Sequence, residues 1–132
     1  MRRNTLMSKK IYSVIESRTH PFLTDLYTQC GLEELCFKSM RKVISKIKNN
    51  PPEYIAVEFF YGYGNNYAGI NSSNVDVMLY TLQRYSKETK VIVFVDKNER
   101  QYVDKLNSII PLHAIFTLPI DESALKQVLI KR

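Results

Sequence analysis

Pro51-Pro52-Glu53-Tyr54-Ile55-Ala56-Val57-Glu58-Phe59-Phe60-Tyr61-Gly62-Tyr63-Gly64-Asn65-Asn66-Tyr67-Ala68-Gly69 is the stretch whose reading decides the fold. The two prolines cannot continue a helix. Directly after them, Tyr54 to Phe60 is apolar except at Glu58, the pattern of a buried strand. A lone carboxylate therefore sits near the strand's end. The loop behind it holds three of the four glycines, Gly62, Gly64 and Gly69. In open α/β sheets, sites lie in the crevice at the carboxyl ends of the strands, which makes this stretch a candidate site.

Upstream, Ile11 to Ile15 is β-branched and apolar and reads as a first strand, followed by a polar loop from Glu16 to Pro21. Phe22, Leu23, Leu26 and Tyr27 recur at helical spacing, and Gly31 closes that short helix. Leu35-Cys36-Phe37 is the second strand, since Glu33-Glu34 breaks the apolar run before it. Ser39 to Asn50 is helical, with Met40, Val43, Ile44 and Ile47 as its apolar stripe. Its basic face is Lys38, Arg41, Lys42, Lys46 and Lys48.

Downstream, Ser72-Ser73-Asn74 offers N-caps to a helix carrying Val75, Met78, Leu79 and Leu82. Val91 to Val95 is apolar at every position, as central parallel strands are, and Asp96 ends it. Glu99 to Ile110 reads as a helix stopped by Pro111. Leu112 to Thr117 is a fifth strand, and Asp121 caps a last helix through Leu125, Val128 and Leu129. Strands alternating with helices predict an α/β fold, a doubly wound five-stranded parallel sheet in one domain over residues 10–132, behind a basic leader over 1–9.

Composition sets further bounds. The chain has 132 residues, 45% hydrophobic and 24% charged, with no apolar run of the ~20 residues that cross a bilayer. No membrane association is expected, and the basic start lacks the apolar segment of a signal peptide, so the protein is read as cytoplasmic. Cys30 and Cys36 lack metal-site spacing and read as buried free thiols. The net charge of +6 arises entirely in residues 1–50, where ten Lys or Arg face four acids. Such a field steers anionic partners without choosing among them.

In layout the chain resembles the receiver domain of two-component response regulators, the CheY-like, flavodoxin-like (βα)5 fold. Pro52-Glu53-Tyr54-Ile55-Ala56-Val57-Glu58 matches the family's third strand in spacing, so the resemblance places Glu58 at the phospho-acceptor position. The family's Mg²⁺-holding acidic pair falls on Ile15 and Glu16, so one acid is lost. Its fourth-strand Ser or Thr falls at Val95-Asp96. Its Lys-Pro falls on Leu118-Pro119, which keeps the proline and loses the charge. Gly69 lies eleven residues after Glu58, consistent with a three-residue insertion in the loop. Phosphoryl transfer to a carboxylate relies on positioned positive charge, so these departures imply a pseudo-receiver without phosphotransfer.

The expected function is thus a stand-alone regulatory module and not an enzyme. It would dock a protein partner in a signalling pathway, with homodimerisation as a further state, through the face of the fourth helix, fifth strand and fifth helix. Tyr102, Phe116 and Ile120 are contributors there, with core packing the plainer reading of Phe116. Glu58 alone reads as a carboxylate solvated or paired with a base, or as a fixed negative charge. No cofactor is expected. The alternative is a Mg²⁺-dependent phospho-acceptor or small catalytic domain in which Glu16, Glu58 and Asp96 gather above the sheet around the ion. Tyr61, Gly62, Tyr63, Gly64, Asn65, Asn66 and Tyr67 match no nucleotide-loop motif and form a recognition loop. His20 and His113 fall at opposite ends of a parallel sheet and form no catalytic pair. Nucleic-acid binding through Arg41, Lys42, Lys46 and Lys48 is a further alternative, disfavoured because no aromatic residues interleave with that helix's charges.

Overall fold

The computed structural model describes residues 9–17, 21–61 and 73–130. Five strands form one parallel sheet in the order β2-β1-β3-β4-β5: β1 (Lys9–Val14), β2 (Leu32–Phe37), β3 (Tyr54–Glu58), β4 (Lys90–Val95) and β5 (Ala114–Thr117). Four α-helices accompany them: α1 (Thr24–Gln29), α2 (Met40–Asn49), α3 (Asp76–Tyr85) and α4 (Glu122–Ile130). The predicted doubly wound parallel sheet is what the chain forms. The central strands β3 and β4 are buried along nearly their whole length, as strands covered on both faces must be.

Alternation of side chains divides the core into two layers. Tyr12, Val14, Ile55, Val57, Val91, Val93 and Val95 point to the side of α2 and α3 and meet Val43, Ile47, Met78, Leu79 and Leu82. Ile11, Tyr54, Ala56, Ile92 and Phe94 point to the other side, where Leu26 and Tyr27 of α1 and Leu125 and Leu129 of α4 cover them. No helix among the described residues is long and apolar enough to cross a membrane.

Four expectations change. Lys9, assigned to the leader, is the first residue of β1, and residues 1–8 lie outside the described residues. The second strand begins at Leu32, because it pairs with β1 from Lys9↔Leu32 to Val14↔Phe37. As an edge strand it tolerates Glu33, which meets Lys10 at 3.4 Å. The predicted helix from Glu99 to Ile110 is instead two 3₁₀ segments, Lys97–Tyr102 and Asp104–Ser108. Val103 N donates to Arg100 O, and Leu106 N to Val103 O, the tighter three-residue repeat. Polar side chains compete for the backbone there: Asn107 Nδ2 donates to Asp104 O and Ser108 Oγ to Lys105 O. Finally, the cysteines are free but not buried, Cys36 being exposed and Cys30 half-buried.

Helix ends follow the predicted chemistry where a side chain can reach. Ser39 Oγ accepts from Lys42 N at 3.3 Å and Asp121 Oδ1 from Ala124 N at 3.1 Å. Before α3 neither Ser73 nor Asn74 caps the helix, whose N-cap is Val75 without a side-chain bond; the Ser73 hydroxyl accepts from Val75 N at 3.0 Å and donates to Asp76 Oδ1. Asn74 is used elsewhere.

Candidate functional site

Glu58 ends β3, beside β1 on one side and opposite Phe94 of β4 on the other. Its side chain is 4% exposed, and its Oε1 accepts the backbone N–H of Glu16 and of Ser17, each at 2.9 Å. The reading of a solvated carboxylate is corrected by this burial. Glu58 is a buried acid that fastens the exit of β1 by charge-assisted hydrogen bonds, which offset part of its desolvation.

The chain leaving β3 is clamped by Asn74. Its Oδ1 accepts from Phe60 N at 2.7 Å, its Nδ2 donates to Glu58 O at 2.8 Å, and its own N donates to Phe60 O at 3.1 Å. Tyr61 and Ser73 pair as an antiparallel bridge. Tyr61 N donates to Glu99 Oε1 at 3.0 Å, and the Tyr61 ring stacks on Tyr102 with centroids 3.8 Å apart and planes 6° from parallel. Lys105 Nζ lies 5.6 Å from the same ring. The base of the tyrosine-rich loop is thus tied down. Gly62, Tyr63, Gly64, Asn65, Asn66, Tyr67 and Gly69 lie outside the described residues.

Above these strand ends is a crevice of about 230 Å³ lined by Ser17, Glu58, Phe59, Phe60, Phe94, Asp96, Asn98, Glu99 and Leu118. Of the predicted site residues it brings together Glu58, Asp96 and Leu118. Glu16 contributes its backbone N–H while its side chain is exposed, and Pro119, joined to Leu118 by a cis peptide, is exposed outside the lining. The proposed gathering of Glu16, Glu58 and Asp96 around an ion is not formed: no group of three His, Cys, Asp or Glu among the described residues could hold a metal. Each is engaged or directed elsewhere. Glu58 binds backbone, and Asp96 Oδ2 accepts from Asn98 N at 3.2 Å to cap the first 3₁₀ segment.

Among the described residues, three carboxylates and no Lys or Arg line the crevice. Sequence reasoning missed Ser17, Asn74 and Glu99. Only Glu99 carried a signal, the Asp96-x-x-Glu99 spacing of a capping box, and its carboxylate turns to Tyr61 instead.

Other candidates fall elsewhere. Lys38, Arg41, Lys42 and Lys48 are exposed and Lys46 half-buried. As read, no aromatic residue stands among the charges of α2 itself, though Lys48 Nζ lies 6.0 Å from the Tyr85 ring of α3. Tyr102, Phe116 and Ile120 are half-buried against the core, Phe116 tilted on Phe94 with centroids 6.2 Å apart. His113 Nε2 lies 2.9 Å from Val128 O, and His20 is outside the described residues.

A second cavity of about 350 Å³ lies beside the start of α1, with Ser13, Ile15, Glu34 and Cys36 among its lining. There Thr24 Oγ1 donates to Glu34 Oε1, and burial first, then the Glu34 carboxylate, push the Cys36 thiol above its ordinary range.

No protein-family model matches the chain, and a search of curated proteins finds no significant match. Solved structures do match. The receiver domain of the Francisella response regulator 1452 superposes with a TM-score of 0.66 at 14% identity, over 94% of this chain and 98% of that one. A response regulator from Thermotoga maritima gives 0.67 at 13% identity, over 96% and 100%. NtrX from Brucella abortus gives 0.69 at 10% identity over 92% of this chain, which spans only 25% of NtrX.

This chain has the receiver fold.

In a receiver fold the strand ends form one rim. Here Glu16, Glu58, Asp96 and Leu118 lie at or just beyond the ends of β1, β3, β4 and β5.

Proposed function

We propose that the chain is a receiver-like regulatory module of the cytoplasm that docks a protein partner without accepting a phosphoryl group, with Glu58 at the phospho-acceptor position. The observation that carries this reading is the crevice wall, which among the described residues has Glu58, Asp96 and Glu99, no Lys or Arg, and the apolar Leu118 where the resemblance places a lysine. Phosphoryl transfer is accelerated by charge aimed at the transferring oxygens, and a wall of carboxylates opposes it. Glu58 Oε1 already receives two backbone N–H groups, so attack from that oxygen would unfasten β1's exit. In this reading Glu58 is a fixed negative charge that holds Glu16 and Ser17 at the exit of β1.

The test is intact-mass spectrometry after incubation with acetyl phosphate and Mg²⁺. No added phosphoryl mass is expected. A stable adduct present in the native chain and lost in Glu58→Gln overturns the proposal.

A further inference from the structure

The outer face of α2 and α3 has an unusual charge balance. The two helices carry five cations, Arg41, Lys42, Lys46, Lys48 and Arg84, and one acid, Asp76. That acid is already engaged, its Oδ1 accepting from the N–H and hydroxyl of Ser73. The ion pairs among the described residues are Lys10–Glu33, Lys90–Glu53 and Arg100–Asp104, so none neutralises the five. A merely solvated helix face usually mixes signs; this one does not.

The same face exposes large apolar side chains. Val77, Tyr80 and Tyr85 are 63%, 55% and 47% exposed, three of the four such residues in the described chain. Met78, Leu79, Thr81 and Leu82 take up the buried side of α3, so the fold has no use for the outer three. Val77, Tyr80 and Arg84 follow at i, i+3 and i+7 and form one stripe. At its end the Tyr85 ring lies 5.8 Å from Arg84 Cζ and 6.0 Å from Lys48 Nζ, which joins the α3 stripe to the α2 cations.

We infer that this α2–α3 face docks an acidic amphipathic helix of a partner protein. Tyr and Arg are residue types that anchor interfaces, and five cations against one engaged acid select a partner of opposite charge. An apolar stripe at helical spacing accepts a helix's apolar face. Polyphosphate chemistry would use the cations and leave Val77 and Tyr80 without a role, so protein is favoured over nucleic acid. The inference rests on the docking function proposed above and gives it a surface.

The test uses the full chain, isotope-labelled, with a synthetic helical peptide that carries a leucine stripe flanked by glutamates. Controls are the same peptide flanked by lysines and a single-stranded oligo-dT. Expected are amide shifts centred on residues 40–49 and 76–85, affinity that falls with salt, and about tenfold weaker binding for Tyr80→Ser and, independently, for the Lys42→Glu/Lys48→Glu pair. All three positions are exposed, and circular dichroism checks that the variants fold. Shifts absent or centred elsewhere, equal binding of the lysine-flanked peptide, or tighter binding of oligo-dT overturns the inference. A phosphoryl adduct would overturn the proposed function whatever the peptide does, so the two readings fail separately.

Discussion

Glu58 is a case in which one side chain serves structure and site together. A buried carboxylate oxygen holding two N–H groups loses them differently on different substitutions. Glu58→Gln keeps an oxygen acceptor of the same reach. Glu58→Ala leaves the Glu16 and Ser17 donors without theirs, at a cost of about 1–3 kcal/mol. Urea denaturation should therefore place Glu58→Ala well below Glu58→Gln; equal midpoints would show that the two hydrogen bonds contribute nothing to stability. The position of this acid was legible, because an apolar run ending in one carboxylate marks a strand end. Its partners were not, because backbone N–H groups have no signature in sequence. Asn74 shows the same limit: it reads as a helix cap, yet its amide is spent on Glu58 O and Phe60 N.

At the scale of elements, prediction succeeded where burial decides and failed where edges or side-chain competition decide. The strands β3 and β4 are apolar because both faces are covered, whereas β2, at the edge, carries Glu33 and Glu34 and was half hidden. The stretch after β4 has apolar residues at helical spacing, but Asn107 and Ser108 bond to its carbonyls and it settles into 3₁₀ turns. Those turns present Tyr102 to Tyr61 and Glu99 to the Tyr61 N–H, so they brace the base of the tyrosine-rich loop. Parallel stacked rings contribute about 0.5–1.5 kcal/mol beyond their buried area. A double-mutant cycle of Tyr61→Leu and Tyr102→Leu should return a coupling of about 1 kcal/mol by urea denaturation. Additive effects would mean that the rings are neighbours and not a brace.

Across the whole molecule, three tyrosine hydroxyls lie inside the two layers that flank the sheet. Tyr12 donates to Asn50 O at the end of α2, and Tyr54 to Leu129 O in α4 at 3.2 Å, while the buried Tyr27 hydroxyl has no hydrogen-bond partner among the described residues. Burial raises all three phenols above their ordinary range; Glu34 and then Cys36 add to it at Tyr27, and Glu53 and then Cys30 at Tyr54. A raised folded-state pKa means that the unfolded chain loses its proton first. The stabilisation is therefore complete below about pH 10 and drains away as pH climbs beyond it, at up to ~1.4 kcal/mol per pH unit for each phenol. The urea midpoint should fall steeply from pH 10 upward. Tyr27→Phe should shallow that fall, and near neutral pH it should be neutral or stabilising, since it removes a polar atom that burial has stripped of water and given no partner. A midpoint flat from pH 9 to 11, or a neutral-pH loss in Tyr27→Phe like that of a broken hydrogen bond, would mean that these hydroxyls reach solvent or a partner in solution.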